Sequence, residues 1–170
     1  ISGLYFNDYE AFIGLFGITE GAIIKKVGVV NSYFEGSENV GGICGVGFEG
    51  IISECYSTAT IIGNTYRVGG ICGNCDNLNV INCFNSGKIS SNDEFGGICG
   101  NIYNSSIKNC YYDKTVFTGD AIGNIFDTNT IEKVEGKTTE QLKSGEVAML
   151  LGDAFGQTIG TDEIPVLGGP

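Results

Sequence analysis

The chain has 170 residues, 42% of them apolar, with 28 glycines and 2 prolines. That is material for about one domain, in a composition suited to short strands and tight turns. Twenty Asp and Glu against nine Lys and Arg leave a net charge of −11, which repels phosphate backbones and anionic membrane surfaces and so excludes nucleic acid as a partner. Without a Gly-X-Y period or a long unbroken apolar run, the sequence excludes collagen and membrane insertion by this stretch.

Ile1 to Phe12 lacks the basic start and apolar block of a signal peptide. Ile1-Ser2-Gly3-Leu4-Tyr5-Phe6 reads as strand from its first residue, as a segment continuing from a longer protein would. A short phrase then recurs four times: Gly14-Leu15-Phe16-Gly17, Gly42-Ile43-Cys44-Gly45, Gly70-Ile71-Cys72-Gly73 and Gly97-Ile98-Cys99-Gly100, at intervals of 28, 28 and 27 residues. A fixed period of this length means that each unit is one supersecondary turn burying its apolar face against its neighbours.

Aligned, the copies give columns. Phe12, Val40, Val68 and Phe95 open each unit, followed by Leu15, Ile43, Ile71 and Ile98, then Phe16, Cys44, Cys72 and Cys99. A second block holds Ile24, Ile52, Val80 and Ile107 with Val27, Cys55, Cys83 and Cys110. A third column holds Tyr33, Ile61, Ile89 and Val116. β-Branched and aromatic blocks separated by Gly, Asn and Ser predict three short strands per coil, and so many glycines disfavour helices. Parallel stacking would set equivalent residues about 4.8 Å apart, as ladders of like side chains. Ile52 and Cys55 are three apart, so both face inward only if a bend or bulge lies between them. Ile43 and Cys44 are adjacent and both apolar, which predicts a strand covered on both faces.

After Asp120 the register fades, with Ala121-Ile122-Gly123-Asn124-Ile125 as a degenerate fifth copy. Thr138-Thr139-Glu140-Gln141 has the form of a capping box, with Thr138 as N-cap, and leads into one helix or two broken at Ser144-Gly145. The fold expected is all-β: a solenoid of about four to five coils over residues 1–133, then a C-terminal cap over 134–170 with one or two short helices and a terminal strand, closing the open coil end.

The four phrases, with the downstream Ile52 to Tyr56, Val80 to Phe84 and Ile107 to Tyr111, resemble the GLUG motif, a Gly-Leu-hydrophobic-Gly repeat of secreted and surface-anchored bacterial proteins. The resemblance covers about Phe12 to Val116. It implies a β-solenoid module of adhesin-like proteins and of some secreted immunoglobulin A proteases, where the repeat is not the catalytic part. The implied location is extracellular, at the cell surface.

For chemistry the sequence offers little. Six of seven cysteines fall in two columns, the distribution of a small core residue, and are read as buried free thiols, with one or two bridges between stacked neighbours as the alternative. Cys72-Gly73-Asn74-Cys75 is a lone CxxC in a chain without histidine, so no zinc site or histidine-based catalysis is expected. Carboxylates could cleave polysaccharide only if clustered, and Asp76, Asp93, Asp113 and Asp120 share no column. Calcium lacks an Asp-x-Asp-x-Asp loop. No cofactor is expected, and the chain is read as a non-enzyme.

The candidate binding residues are aromatic: Tyr56, Phe84 and Tyr111 in one column, with Tyr112, Tyr103 and Tyr66 in or near turns. If exposed they would stack on a host or cell-wall glycan or a protein partner; if buried they widen the core or seal an edge. The function expected is a non-catalytic surface module for adhesion or as a stalk. The alternatives are a carbohydrate-binding or carbohydrate-cleaving solenoid and an accessory module of a secreted protease.

Overall fold

The computed structural model describes residues 1–169. It is a β-solenoid of about five coils, stacked in parallel register. The first three coils each carry one ten-residue strand, Phe16–Lys25, Cys44–Ser53 and Cys72–Ile81. In the fourth and fifth the same path is divided into Cys99–Tyr103 with Ser106–Asp113, and Ile122–Phe126 with Thr130–Lys137. Phe16, Cys44, Cys72, Cys99 and Ile122 follow one another up the stack, so the degenerate copy at Ala121 is a true fifth rung.

The corners are set by backbone conformation. Three columns of residues have left-handed φ: Gly21, Glu49, Asn77, Asn104 and Asp127; Lys26, Glu54, Asn82, Asn109 and Lys133; and Phe12, Asn39, Arg67 and Glu94. A left-handed residue reverses the strand's pleat and turns the chain, and recurring in phase it folds every coil into the same outline. Asn, Asp and Gly adopt this region at least cost. The bend expected between Ile52 and Cys55 is Glu54, at φ 53°, and both flanking side chains are fully buried.

Two column assignments are corrected. Phe34, not Tyr33, lies beside Ile61, which lies beside Ile89; Tyr33 pairs with Thr60. Val116 sits in a turn that closes onto the Asp113 carbonyl and is exposed. In the first copy Ile13, not Phe12, bridges to Val40, because Phe12 occupies the left-handed corner held by Asn39 one coil on. The interval there is 27 residues, and counting a constant 28 shifts the column by one.

The core is a continuous column of Ile43, Ile71 and Ile98, of Ile52, Val80 and Ile107, and of Val40 and Val68, all fully buried, with the cysteines interleaved. Ile43 and Cys44 are both buried, as two covered faces require. Asn85, a polar residue that enters this core, is satisfied locally: its Nδ2 donates to Gly87 O at 3.2 Å while its Oδ1 accepts from Gly87 N at 3.2 Å, the pairing that burial of an amide demands.

The C-terminal segment forms α1 (Thr139–Lys143), α2 (Glu146–Leu151) and an antiparallel pair, Phe155–Gly156 with Val166–Leu167. The capping box forms: Gln141 N donates to Thr138 Oγ1 at 3.2 Å and Thr138 N to Gln141 Oε1 at 3.0 Å. Gly145, at φ 85°, separates the helices. The boundary anticipated at 133 falls inside the last ladder strand, where Val134 pairs with Cys110 and Lys137 with Asp113. The position of the cap also differs from the expectation. It packs on the flank of the stack, against the aromatic ladder of the second to fourth coils, and Ile125, Phe126 and Ile131 of the fifth coil remain exposed.

Candidate functional site

The aromatic column proposed for ligand binding lies under the cap. Tyr56, Phe84 and Tyr111 stack in register, with the Tyr56 and Phe84 rings 5.0 Å apart and nearly parallel. Phe155 meets both edge-on, at 6.2 and 5.6 Å. Phe84 and Tyr111 are buried with Leu142, Val147 and Leu151, and Tyr56 is half-buried at the margin. Lys137 Nζ stands 5.6 Å from the Tyr111 ring centre and pairs with Glu135 and with Glu146 of α2, at 3.1 and 3.2 Å. Tyr112 is also buried: its hydroxyl donates to Gly119 O at 2.9 Å and its ring packs against Phe117. The column therefore holds the cap, and no ligand ring can reach the faces of Phe84 or Tyr111. The buried Asp113 secures the junction, accepting from Thr115 N at 2.9 Å and from the Thr139 hydroxyl at 2.7 Å.

The seven cysteines are buried. In one column the thiols point back: Cys55, Cys83 and Cys110 donate to the carbonyls of Ser53, Ile81 and Lys108 at 3.2, 3.3 and 3.2 Å. In the other they point forward, Cys44 to Val46 O at 3.1 Å and Cys72 to Asn74 O at 3.2 Å. Cys75 Sγ lies 3.5 Å from Cys99 Sγ, so both ends of the CxxC are core residues.

Contact with Cys72, then burial, pushes the Cys44 thiol far above its ordinary pKa. Contact with Cys72 and Cys99, then burial, does the same for Cys75. Contact with Cys83, then burial, raises Cys55, and burial raises Cys83. A raised folded pKa gives stability that is complete below the unfolded thiol pKa, about 8.5, and is lost as pH rises past it. Contact with Cys44, then with Cys75, shifts Cys72 the other way and offsets part of this, so the reduced protein is expected to weaken above about pH 8.5 by up to about 1.4 kcal/mol per pH unit for each raised thiol not so offset. Urea midpoints between pH 7 and 9.5 check this, and a flat profile would contradict it.

The accessible polar and aromatic chemistry lies elsewhere, on the outer side of the strands that follow the repeated phrase. One register column reads Glu20, Phe48, Asp76, Tyr103 and Phe126. Phe48, Tyr103 and Phe126 are 39%, 40% and 45% exposed. Two residues earlier runs Ile18, Val46, Asn74, Asn101 and Asn124. Two cavities of about 390 Å³ each adjoin at Asp76: one is lined by Glu20, Phe48, Glu49, Asp76 and Asn77, the other by Arg67, Asn74, Asp76, Asn101, Tyr103 and Phe126.

The floor of the second is an amide ladder, Asn101 Nδ2 donating to Asn74 Oδ1 at 2.7 Å. Its wall is a corner column: Arg67 Nε stands 3.4 Å from Glu94 Oε2, its guanidinium lies over the Tyr66 ring at 4.9 Å, and Asn124 Nδ2 donates to Glu94 Oε1 at 3.0 Å. Of the aromatics singled out in the sequence, Tyr103 lines the groove and Tyr66 backs its Arg67. Asp76 enters the sequence reading only as a scattered carboxylate, and Phe48, Asn101, Arg67 and Phe126 do not enter it as binding residues. Asn74 and Asn101 continue into Asn124 as a polar like-on-like ladder, whereas Phe48, Asp76, Tyr103 and Phe126 mix chemistries in one column and break the like-on-like rule that packing imposes on buried ladders.

The aspartates considered for hydrolysis do not gather. Asp76 lies in the groove, Asp113 is tied to the cap, and Asp93 and Asp120 lie outside the strands. Among the described residues no group of three or more His, Cys, Asp or Glu is placed to hold a metal ion.

No family model and no curated protein matches the chain. Among solved structures, the fold is similar to that of a candidate immunoglobulin A1 protease from Bacteroides ovatus, with a TM-score of 0.59 and 20% identity. The match covers 94% of this chain and 64% of that one, so this chain spans less than two thirds of that protein's length.

Proposed function

We propose that the chain is a non-catalytic β-solenoid module of the GLUG-repeat kind, belonging to an exported bacterial cell-surface protein and acting there in adhesion or as a structural stalk. The observation that carries this reading is the unbroken core of in-register coils, in which the chemically distinctive cysteines serve packing. Each coil rests on its neighbours through shared ladders, so the stack is stiff along its axis, advancing about 4.8 Å per coil. Host or cell-wall glycans or proteins are the partners of such a surface. A second reading, an accessory module of a secreted protease, is supported by the fold likeness to the Bacteroides ovatus protein.

Beads coated with the purified chain are expected to be retained on mucin or epithelial surfaces above an albumin-coated control, and immunoglobulin A incubated with the chain is expected to stay intact. Cleavage by the chain alone would overturn the non-catalytic reading. Retention no better than albumin would remove adhesion and leave the stalk.

A further inference from the structure

The groove shared by the second to fifth coils exposes side chains that packing of the stack does not require. Three aromatic rings remain accessible in one column of a protein that has buried Phe84 and Tyr111 elsewhere. Beneath them Asn101 is 95% buried by its 5% exposure, and its Oδ1 has no hydrogen-bond partner. A buried amide oxygen without a partner forfeits its hydration uncompensated, and Asn101 lines the cavity with Asn74, Arg67 and Asp76. Flat rings beside amide, carboxylate and guanidinium groups form a surface that stacks on an apolar ring face and exchanges hydrogen bonds with hydroxyls in both directions.

We propose that this groove binds a neutral glycan chain, laid along the stack axis across Phe48, Asp76, Tyr103 and Phe126. The proposal rests on the reading of the chain as a binding module and names the face and ligand class.

Charge selects a neutral occupant over an acidic one. Among the described residues that line the groove Arg67 is the one cation, and its pairing with Glu94 already compensates it. Glu20, Glu49 and Asp76 line the adjoining cavity without a lysine or arginine among them, and the whole chain carries −11. A uronate, sulfate or phosphate would meet net repulsion along its length. Geometry selects a linear polymer. Successive column positions are about 4.8 Å apart, placing Phe48 and Tyr103 about two rungs apart with the Asp76 carboxylate between them. The cavities are contiguous at Asp76, and each falls in the volume range of small-molecule sites.

The test is titration calorimetry of the intact chain with hexasaccharides of β-linked glucose, mannose, xylose and N-acetylglucosamine, with polygalacturonate as the acidic probe. At least one neutral probe is expected to bind, and polygalacturonate is expected not to. Tyr103→Ala and Phe126→Ala should each weaken binding about tenfold, the loss of one ring stack. Ile23→Ala, at an exposed residue outside the groove column, should leave it unchanged, with circular dichroism showing all three variants folded. If Tyr103→Ala proved unfolded, Phe126→Ala on the exposed fifth coil decides alone. Absence of binding by every neutral probe, preference for polygalacturonate, or binding indifferent to both ring deletions would overturn the proposal. None of these results would touch the non-catalytic reading, which fails only on cleavage of immunoglobulin A.

Discussion

Replacing Gly69 with alanine, the addition of one methyl group, is expected to unfold the protein or to cost about 3 kcal/mol or more. A Cβ built at Gly69 would lie 2.1 Å from Cys72 O, 2.7 Å from Gly100 N and 2.8 Å from Cys99 Cα. All three are backbone atoms, one in the same coil's next turn and two in the following coil, so no side chain can swing aside and relief means reshaping the corner and moving the next coil. The same arrangement recurs at Gly41, facing Cys44 O at 2.1 Å, and at Gly96, facing Cys99 O at 2.3 Å. This column lets one coil approach the next at a corner, and its glycines are required by space rather than by φ. The sign of the effect is diagnostic. At an unstrained position with room, glycine to alanine stabilises by about 0.4–1 kcal/mol through the unfolded chain. Gly3→Ala is the control: nothing lies within 4 Å of its Cβ, and its φ of +74° predicts a loss of about 1–2 kcal/mol from strain alone. Urea midpoints of the three proteins decide. A Gly69→Ala midpoint equal to wild type would mean that the coils do not approach at this corner.

What could be read from the sequence follows from what packing repeats. Cys44, Cys72 and Cys99 share a column because a fully buried rung admits few side chains, and those few recur at each coil. The corners left a fainter trace. Phe12, Asn39, Arg67 and Glu94 share a backbone conformation but no chemistry, so nothing in their identities marks the left-handed turn that the ladders on either side enforce. The fate of Tyr56, Phe84 and Tyr111 depended on residues about thirty to a hundred positions away in the chain, Leu142, Val147, Leu151 and Phe155. An aromatic column looks the same in sequence whether it meets solvent or a cap. The groove was hidden for the opposite reason: its ladder mixes the carboxylates Glu20 and Asp76 with the aromatics Phe48, Tyr103 and Phe126, because an accessible face is released from the core's like-on-like constraint.

Deleting one whole period, Val40 to Arg67, is expected to yield a folded protein one coil shorter, whereas deleting only Val40 to Ser53 is expected to abolish cooperative folding. The whole-period deletion joins Asn39 to Val68. Asn39 and Arg67 are the same corner one coil apart, at φ 53° and 61°, so the new junction presents Val68 with the backbone it already follows. Cys72 then takes the place of Cys44 beside Phe16, Val80 that of Ile52 beside Ile24, and Ile89 that of Ile61 beside Phe34. The loss falls on one coil's neighbour contacts and on the Tyr56 ring beneath Phe155. The cap keeps Phe84 and Tyr111, and the denaturant m-value should drop by about a fifth with the buried surface. The shorter deletion removes the strand Cys44–Ser53, which pairs with Phe16–Lys25 on one side and Cys72–Ile81 on the other. It leaves Tyr56 and Ile61 following a corner that leads to neither of their ladders, and every buried column below that point meets the wrong face. Far-UV circular dichroism and urea titration of the two deletants provide the comparison. Equal damage from both would show that the coils are not interchangeable stacked units, and the periodic account of this fold would have to be abandoned.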